Sequence, residues 1–204
     1  MITYRQAQLS DLDQILAINA HYILHTSLTF MRTSPHIGTY VDKWRDLQAR
    51  GLPYLVAVED TNTKELDVVL GYASFSPFRG HLLSYAPTVE LSLFVHPDYQ
   101  SRSIGSGLLN ELFNLVRNGK VHHVVEESGP RDMIGYDDSE STGDNIQVRN
   151  IIAVMAVDPE GKDGGEELRK WYTRRGFVEK GRLEKVGFKR GHWIDTVYLQ
   201  YSTS

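Results

Sequence analysis

The stretch Val89 to Leu112, VELSLFVHPDYQSRSIGSGLLNEL, constrains this chain more than any other. It opens as an apolar strand and turns at Pro97-Asp98. It then runs through Gln100-Ser101-Arg102-Ser103-Ile104-Gly105-Ser106-Gly107 into a helix. Leu108, Leu109, Leu112, Phe113 and Val116 fall on one face of that helix, so it must pack against a core. The first amides of a helix lack intrahelical acceptors, and the helix dipole makes that end partly positive. Such an end attracts anions. Gly105 and Gly107 allow close approach to the backbone. Arg102 adds a cation, and three serines add small hydroxyls. The junction suits a phosphate or diphosphate.

Two familiar phosphate-binding arrangements fit poorly. A P-loop needs Lys followed by Ser or Thr after its second glycine, where this chain has Leu108 and Leu109. A dinucleotide fingerprint needs a third glycine, which is missing.

The rest of the chain supplies a mixed set of elements. Ile2 to Gln6 alternates like a strand, and Ser10 with Asp13 reads as a helix start before Leu12, Ile15, Leu16 and Tyr22. TYVDKWRDLQARG reads as a helix stopped at Gly51. PYLVAVED and LDVVLGYASFSPF read as strands joined through TNTKE. IIAVMAV reads as a buried central strand, GGEELRKWYTRRG as a short helix, and FVEKGRLEKVGF with HWIDTVYLQY as a closing pair of strands. Residues 118 to 150 are polar, acidic and rich in Gly and Ser. They read mostly as a long loop, with His122 and His123 in solvent. The expectation is one mixed α/β (α+β) layer domain over 1–204, with a polar insertion loop at about 118–150.

Composition narrows the function. A net charge of -4 argues against a general nucleic-acid binder. The chain has no cysteine, so neither a disulfide framework nor a thiolate zinc site is available. No segment is apolar for long enough to span a bilayer, and the N-terminus lacks a secretory pattern, so a cytoplasmic protein is expected. His21 and His25 have a zinc-compatible spacing but no third ligand, and DDSESTGD lacks the closing glutamate of a calcium loop. No metal is expected.

Strand, turn, Gln100-x-x-Ser103-x-Gly105 and amphipathic helix resemble the acetyl-CoA motif of the GNAT superfamily of N-acetyltransferases. Ser103 stands where that motif usually has its first glycine. Within the superfamily the chain is similar to the phosphinothricin acetyltransferase group. NAHYILHTSLTF, GYASFSPFR, Tyr85-x-x-Thr88-Val89-Glu90 and GFKRGHWIDTVYLQ carry that likeness. It covers nearly the whole chain except the insertion.

The resemblance implies a GNAT fold, with a mixed, mostly antiparallel twisted sheet flanked by helices, acetyl-CoA as donor, and Gln100 to Gly107 as the cofactor loop. It implies Glu90 as the base that deprotonates an amine, and a backbone amide of Phe94 or Val95 as oxyanion donor. Tyr172 is placed as proton donor to the departing thiolate, where the phosphinothricin group often has histidine. Gly165 falls where many members have a cofactor-binding asparagine. Phe30, Arg79 and Tyr85 are the acceptor-site candidates. Core packing for Tyr172 and a solvated charge for Arg79 are the plainer alternatives. The implied reaction is direct acetyl transfer to a small amino acid or analogue such as phosphinothricin, methionine sulfone or methionine sulfoximine, by a homodimer. Rivals are a polyamine, aminoglycoside or protein N-terminus as acceptor, and a non-catalytic acyl-CoA-binding module.

Overall fold

The computed structural model describes residues 1–59, 67–80, 82–125 and 145–203. The chain forms strands β1 (Ile2–Gln6), β2 (Tyr54–Glu59), β3 (Val68–Pro77), β4 (Thr88–Val95), β5 (His122–Val124), β6 (Asn145–Gln147), β7 (Asn150–Val157), β8 (Val178–Lys189) and β9 (His192–Ser202). Its helices are α1 (Leu12–His25), α2 (Ile37–Ala49), α3 (Ile104–Arg117) and α4 (Glu166–Thr173). Seven strands make one sheet in the order β1-β2-β3-β4-β7-β9-β8. Every pairing in it is antiparallel except β4 with β7. The mixed, mostly antiparallel sheet with flanking helices expected from the sequence is what forms.

Strand alternation assigns the two faces. Tyr72, Glu90, Ser92 and Phe94 point to the side of α1 and α2. There the Tyr22 ring meets Phe94 at 5.0 Å, and Asn19 links the Tyr72 and Tyr40 hydroxyls at 2.8 Å each. Leu91, Leu93 and Val95 point to the side of α3, whose Leu108, Leu109, Leu112, Phe113 and Val116 are all buried. Each such side chain contributes about 2 kcal/mol. The amphipathic reading of that helix therefore holds.

Two local readings are corrected. The first helix does not start at Ser10, which is exposed. A 3-10 turn, Leu9–Asp11, precedes it. Buried Asp11 accepts the Gln8 amide at 2.7 Å and pairs with Arg5 at 2.7 Å. A charged pair beneath the turn fixes the entry in place of a hydroxyl cap.

The insertion is not all loop. β5 and β6 pair antiparallel at its two ends. His123 is buried rather than solvated, its Nδ1 lying 3.2 Å from the Ala86 carbonyl, and Val121 and Val148 are buried beside the ribbon. The ribbon docks through the Val124 amide on the Arg50 carbonyl, at 2.9 Å. Short apolar positions scattered through a polar segment gave too weak a period to be seen in one dimension. The TNTKE connection and DDSESTGD lie outside the described residues.

Candidate active site

The single parallel pairing of the sheet is short. β4 and β7 are in register only at Thr88–Asn150, Val89–Ile151 and Glu90–Ile152. Beyond Glu90 the strands diverge. A cavity of about 640 Å³ runs through the gap. Its walls are Leu91 to Val95 on one side, Ala153 to Ala156 on the other, the start of α3, and the inner face of α4.

Register decides which backbone groups face this gap. In an antiparallel pair, alternate residues turn both N–H and C=O toward the same neighbour. The His96 amide donates to the Leu70 carbonyl at 2.8 Å, and the Phe78 amide to the Thr88 carbonyl at 3.4 Å. Even-numbered residues of β4 therefore bond β3, and Phe94 pairs with Tyr72. Leu91, Leu93 and Val95 turn their backbone groups toward the gap, where the β7 ladder has stopped. Of the two residues expected to offer an oxyanion donor, Val95 faces the cavity with its amide. Phe94 also lines it, but turns its amide to β3.

At the start of α3 the Gly107 amide makes the first helical bond, to the Ser103 carbonyl at 2.9 Å. The amides of Ile104, Gly105 and Ser106 precede it and have no intrahelical acceptor. Ser101, Ser103, Ile104, Gly105 and Ser106 all line the cavity, as does Gln100. Ser101 and Ser103 hold left-handed backbone angles, with φ of 63° and 59°. The loop thus keeps its turn at Ser103, at a cost of about 1 kcal/mol relative to glycine.

Two members of the expected cofactor loop face elsewhere. Arg102 pairs with Glu59 at 3.3 Å and lies over the Tyr99 ring. Gly107 packs on Tyr4, where a Cβ would come within 1.9 Å of the phenol oxygen. Its glycine is required for packing on β1. Gly165 does line the cavity, with φ of 89°, and a Cβ there would fall 2.6 Å from the Asp158 carbonyl oxygen. No side chain, asparagine included, fits at that position.

Glu90 lines the cavity at the point where the strands part. Burial pushes its carboxyl above the usual range, and the Lys43 ammonium on α2 pulls it back. Lys43 lies 5.6 Å from the centre of the Tyr54 ring, on the same side of the sheet. Tyr172 lines the cavity from α4 and is held edge-on against Trp171 and Phe177. Burial pushes its phenol up to about 12, so it stays protonated at neutral pH.

Phe30 lines the cavity, with its ring over Gly187, where a Cβ would meet it at 2.0 Å. Lys189 ties the Thr29 carbonyl at 2.8 Å, and Asp195 accepts the Lys185 amide at 2.9 Å. The GFKRGHWID signature therefore builds a hairpin that clamps the Thr29–Phe30 segment over the cavity. Arg79 and Tyr85 lie on the β3–β4 connection and are exposed, Tyr85 edge-on to Phe78. That connection adjoins the Glu90 end, but neither residue lines the cavity. Tyr22, which lines the cavity, and Lys43, whose charge acts on Glu90, went unnoticed. Tyr22 read as a core position, and an isolated cation on a helix carries no signal.

A sheet opened between two parallel strands, with a helix N-terminus at the opening, defines the class of protein. Residues 21–130 match the acetyltransferase (GNAT) family, and the chain belongs to that family. It is an N-acetyltransferase in the company of its relatives. A phosphinothricin N-acetyltransferase of Alcaligenes faecalis is 29% identical, over 97% of this chain and 81% of its own length. An L-methionine sulfoximine/L-methionine sulfone acetyltransferase of Salmonella typhimurium is 25% identical, over 98% and 93%. A solved phosphinothricin acetyltransferase from Sinorhizobium meliloti, in complex with AcCoA, has a TM-score of 0.75 and 24% identity, covering 100% of this chain and 89% of that one. Among the described residues no helix is long and apolar enough to cross a membrane, and no group of three His, Asp or Glu could hold a metal.

Proposed function

We propose that the chain uses acetyl-CoA to acetylate the primary amine of a small amino acid or analogue, of the phosphinothricin, methionine sulfone or methionine sulfoximine type. The observation that carries this is the opening of β4 from β7 immediately after Glu90, with the unpaired amides of α3 at its other end. The free amides of Ile104, Gly105 and Ser106 suit a diphosphate. The backbone of Leu91 to Val95 suits an amide-bearing arm added as a strand. Acetyl-CoA presents both groups, so the site fits it.

Glu90 takes the proton of the acceptor ammonium, directly or through water. The Val95 amide donates to the oxygen on which negative charge develops. Tyr172, protonated, gives its proton to the departing thiolate. The amine attacks the thioester carbon, the C–S bond breaks with no acyl-enzyme between, and the second proton that the nitrogen loses replaces, through water, the one given by Tyr172. Phe30 walls the acceptor side. Arg79 and Tyr85 reach the acceptor from the rim of the Glu90 end, where an arginine can hold a carboxylate or phosphinate by two bonds.

We take residues 1–204 as one such domain and place it in the cytoplasm. A homodimer is supported by β8 and β9, which expose Val178, Leu183, Val186, Phe188 and Trp193 at the edge of the sheet.

The test is acetyl-CoA consumption over a panel of amines holding phosphinothricin, methionine sulfone, methionine sulfoximine, a polyamine, an aminoglycoside and an N-terminal peptide. Turnover on the first three supports the reading. Turnover confined to the others removes the acceptor assignment. Binding of CoA without turnover on any amine leaves a binding module.

A further inference from the structure

Arg102, the cation expected at the cofactor loop, is spent on Glu59 and Tyr99. Another guanidinium lies at the same helix end. Arg175, just past α4, donates through Nη2 to the Ser106 hydroxyl at 2.6 Å. It also donates through Nη1 to the Trp171 carbonyl at 2.9 Å, and its guanidinium lies 3.9 Å from the Trp171 ring centre. Ser106 and Trp171 both line the cavity, Arg175 itself does not, and Trp171 packs on the first turn of α3, its Cζ2 3.7 Å from where a Cβ on Gly105 would lie. Arg175 therefore ties the end of α4 to the first turn of α3, beside its free amides.

Its charge is unmatched. Arg169 pairs with Glu166 and Glu179, and Arg174 pairs with Glu167 at 2.6 Å. Among the described residues no carboxylate lies within 4.0 Å of Arg175. Burial and the neighbouring Arg174 both push its pKa down, as they do for a cation lacking an anion. Stacking on an indole while keeping several N–H donors free is what arginine does where it meets a phosphate.

We propose that Arg175 supplies the cation for the diphosphate of CoA, held by Trp171 and Ser106 beside the free amides of Ile104, Gly105 and Ser106. This rests on the acetyl-CoA reading above and adds the residue and the part of the ligand it serves.

The test is calorimetric titration of the full chain with CoA and with dephospho-CoA, which lacks the 3′-phosphate and keeps the diphosphate. Arg175→Gln is expected to lose roughly tenfold in affinity for both ligands, and Arg175→Lys to recover most of it. Unchanged affinity in Arg175→Gln overturns the proposal. A loss confined to CoA overturns it too, since the cation then serves the 3′-phosphate. Equal losses in Arg175→Gln and Arg175→Lys also overturn it, because the guanidinium then acts as a tether between α4 and α3. If the unaltered chain binds neither ligand, the acetyl-CoA reading itself falls. If it binds both and the variants match it, only the role of Arg175 falls.

Discussion

The Tyr22 hydroxyl donates to the Val95 carbonyl at 2.6 Å and accepts from the Gln100 side chain at 3.1 Å. One phenol on α1 thus occupies the last carbonyl of β4, on the side where a continued parallel ladder would have used it. It also anchors Gln100, the first residue of the loop proposed to hold the cofactor. Gln100, read as a cofactor contact, holds the loop to α1 through this bond. Tyr22→Phe keeps the ring against Phe94 and removes both bonds. The expected outcome is a loss of about 1 kcal/mol in urea unfolding and a several-fold weaker affinity for CoA by calorimetry. Unaltered CoA affinity would remove Tyr22 from the list of residues that hold the gap open.

Glu90→Gln keeps the shape of the side chain and abolishes its basicity. Turnover should fall by roughly 10²- to 10⁴-fold, while CoA affinity stays close to that of the parent. A variant that still turns over at the parental rate would exclude Glu90 as the base.

The pH profile carries a second sign. A base works only when ionised, so the rate falls as pH drops through the Glu90 pKa, which burial sets above the ordinary carboxylate range. The Lys43 charge opposes that rise. Lys43→Met should therefore move the acid limb of kcat to higher pH, with the rate recovering at alkaline pH. Lys43→Arg should leave the limb nearer its original place. An unmoved limb in Lys43→Met would show that the two charges do not communicate.

Tyr172→Phe leaves the ring between Trp171 and Phe177 and removes only the hydroxyl. With the phenol near 12, Tyr172 remains protonated across the neutral range and contributes no alkaline limb there. The variant should lose about 10- to 100-fold in kcat, with little change in the KM for acetyl-CoA. Full activity would leave Tyr172 as a core aromatic.

Ser103 carries a left-handed backbone, with φ of 59°, at a site where a Cβ is disfavoured. Ser103→Gly should stabilise the chain by up to about 1 kcal/mol, the relief of strain exceeding the added freedom of the unfolded state. Thermal unfolding measures it. A drop in melting temperature would mean that the serine hydroxyl does more for the loop than its backbone costs.

The sequence by itself determined the elements with a strong period. The leucine face of α3, the alternation of β9 and the apolar run of β7 follow from local spacing. It also offered Glu90, Tyr172 and the loop from Gln100 to Gly107 as candidates, because they fall within a recognisable pattern. The tertiary structure alone decided the rest. The turn of Arg102 to Glu59, the packing of Gly107 on Tyr4, the burial of His123, and the meeting of Arg175 with Ser106 each join residues far apart in sequence. Direction decided one more: Val95 rather than Phe94 offers its amide to the gap, because pairing with β3 fixes which way each peptide points. A side chain's type is written in the chain, but its partner is set only once the sheet has chosen its register and the helices have been packed upon it.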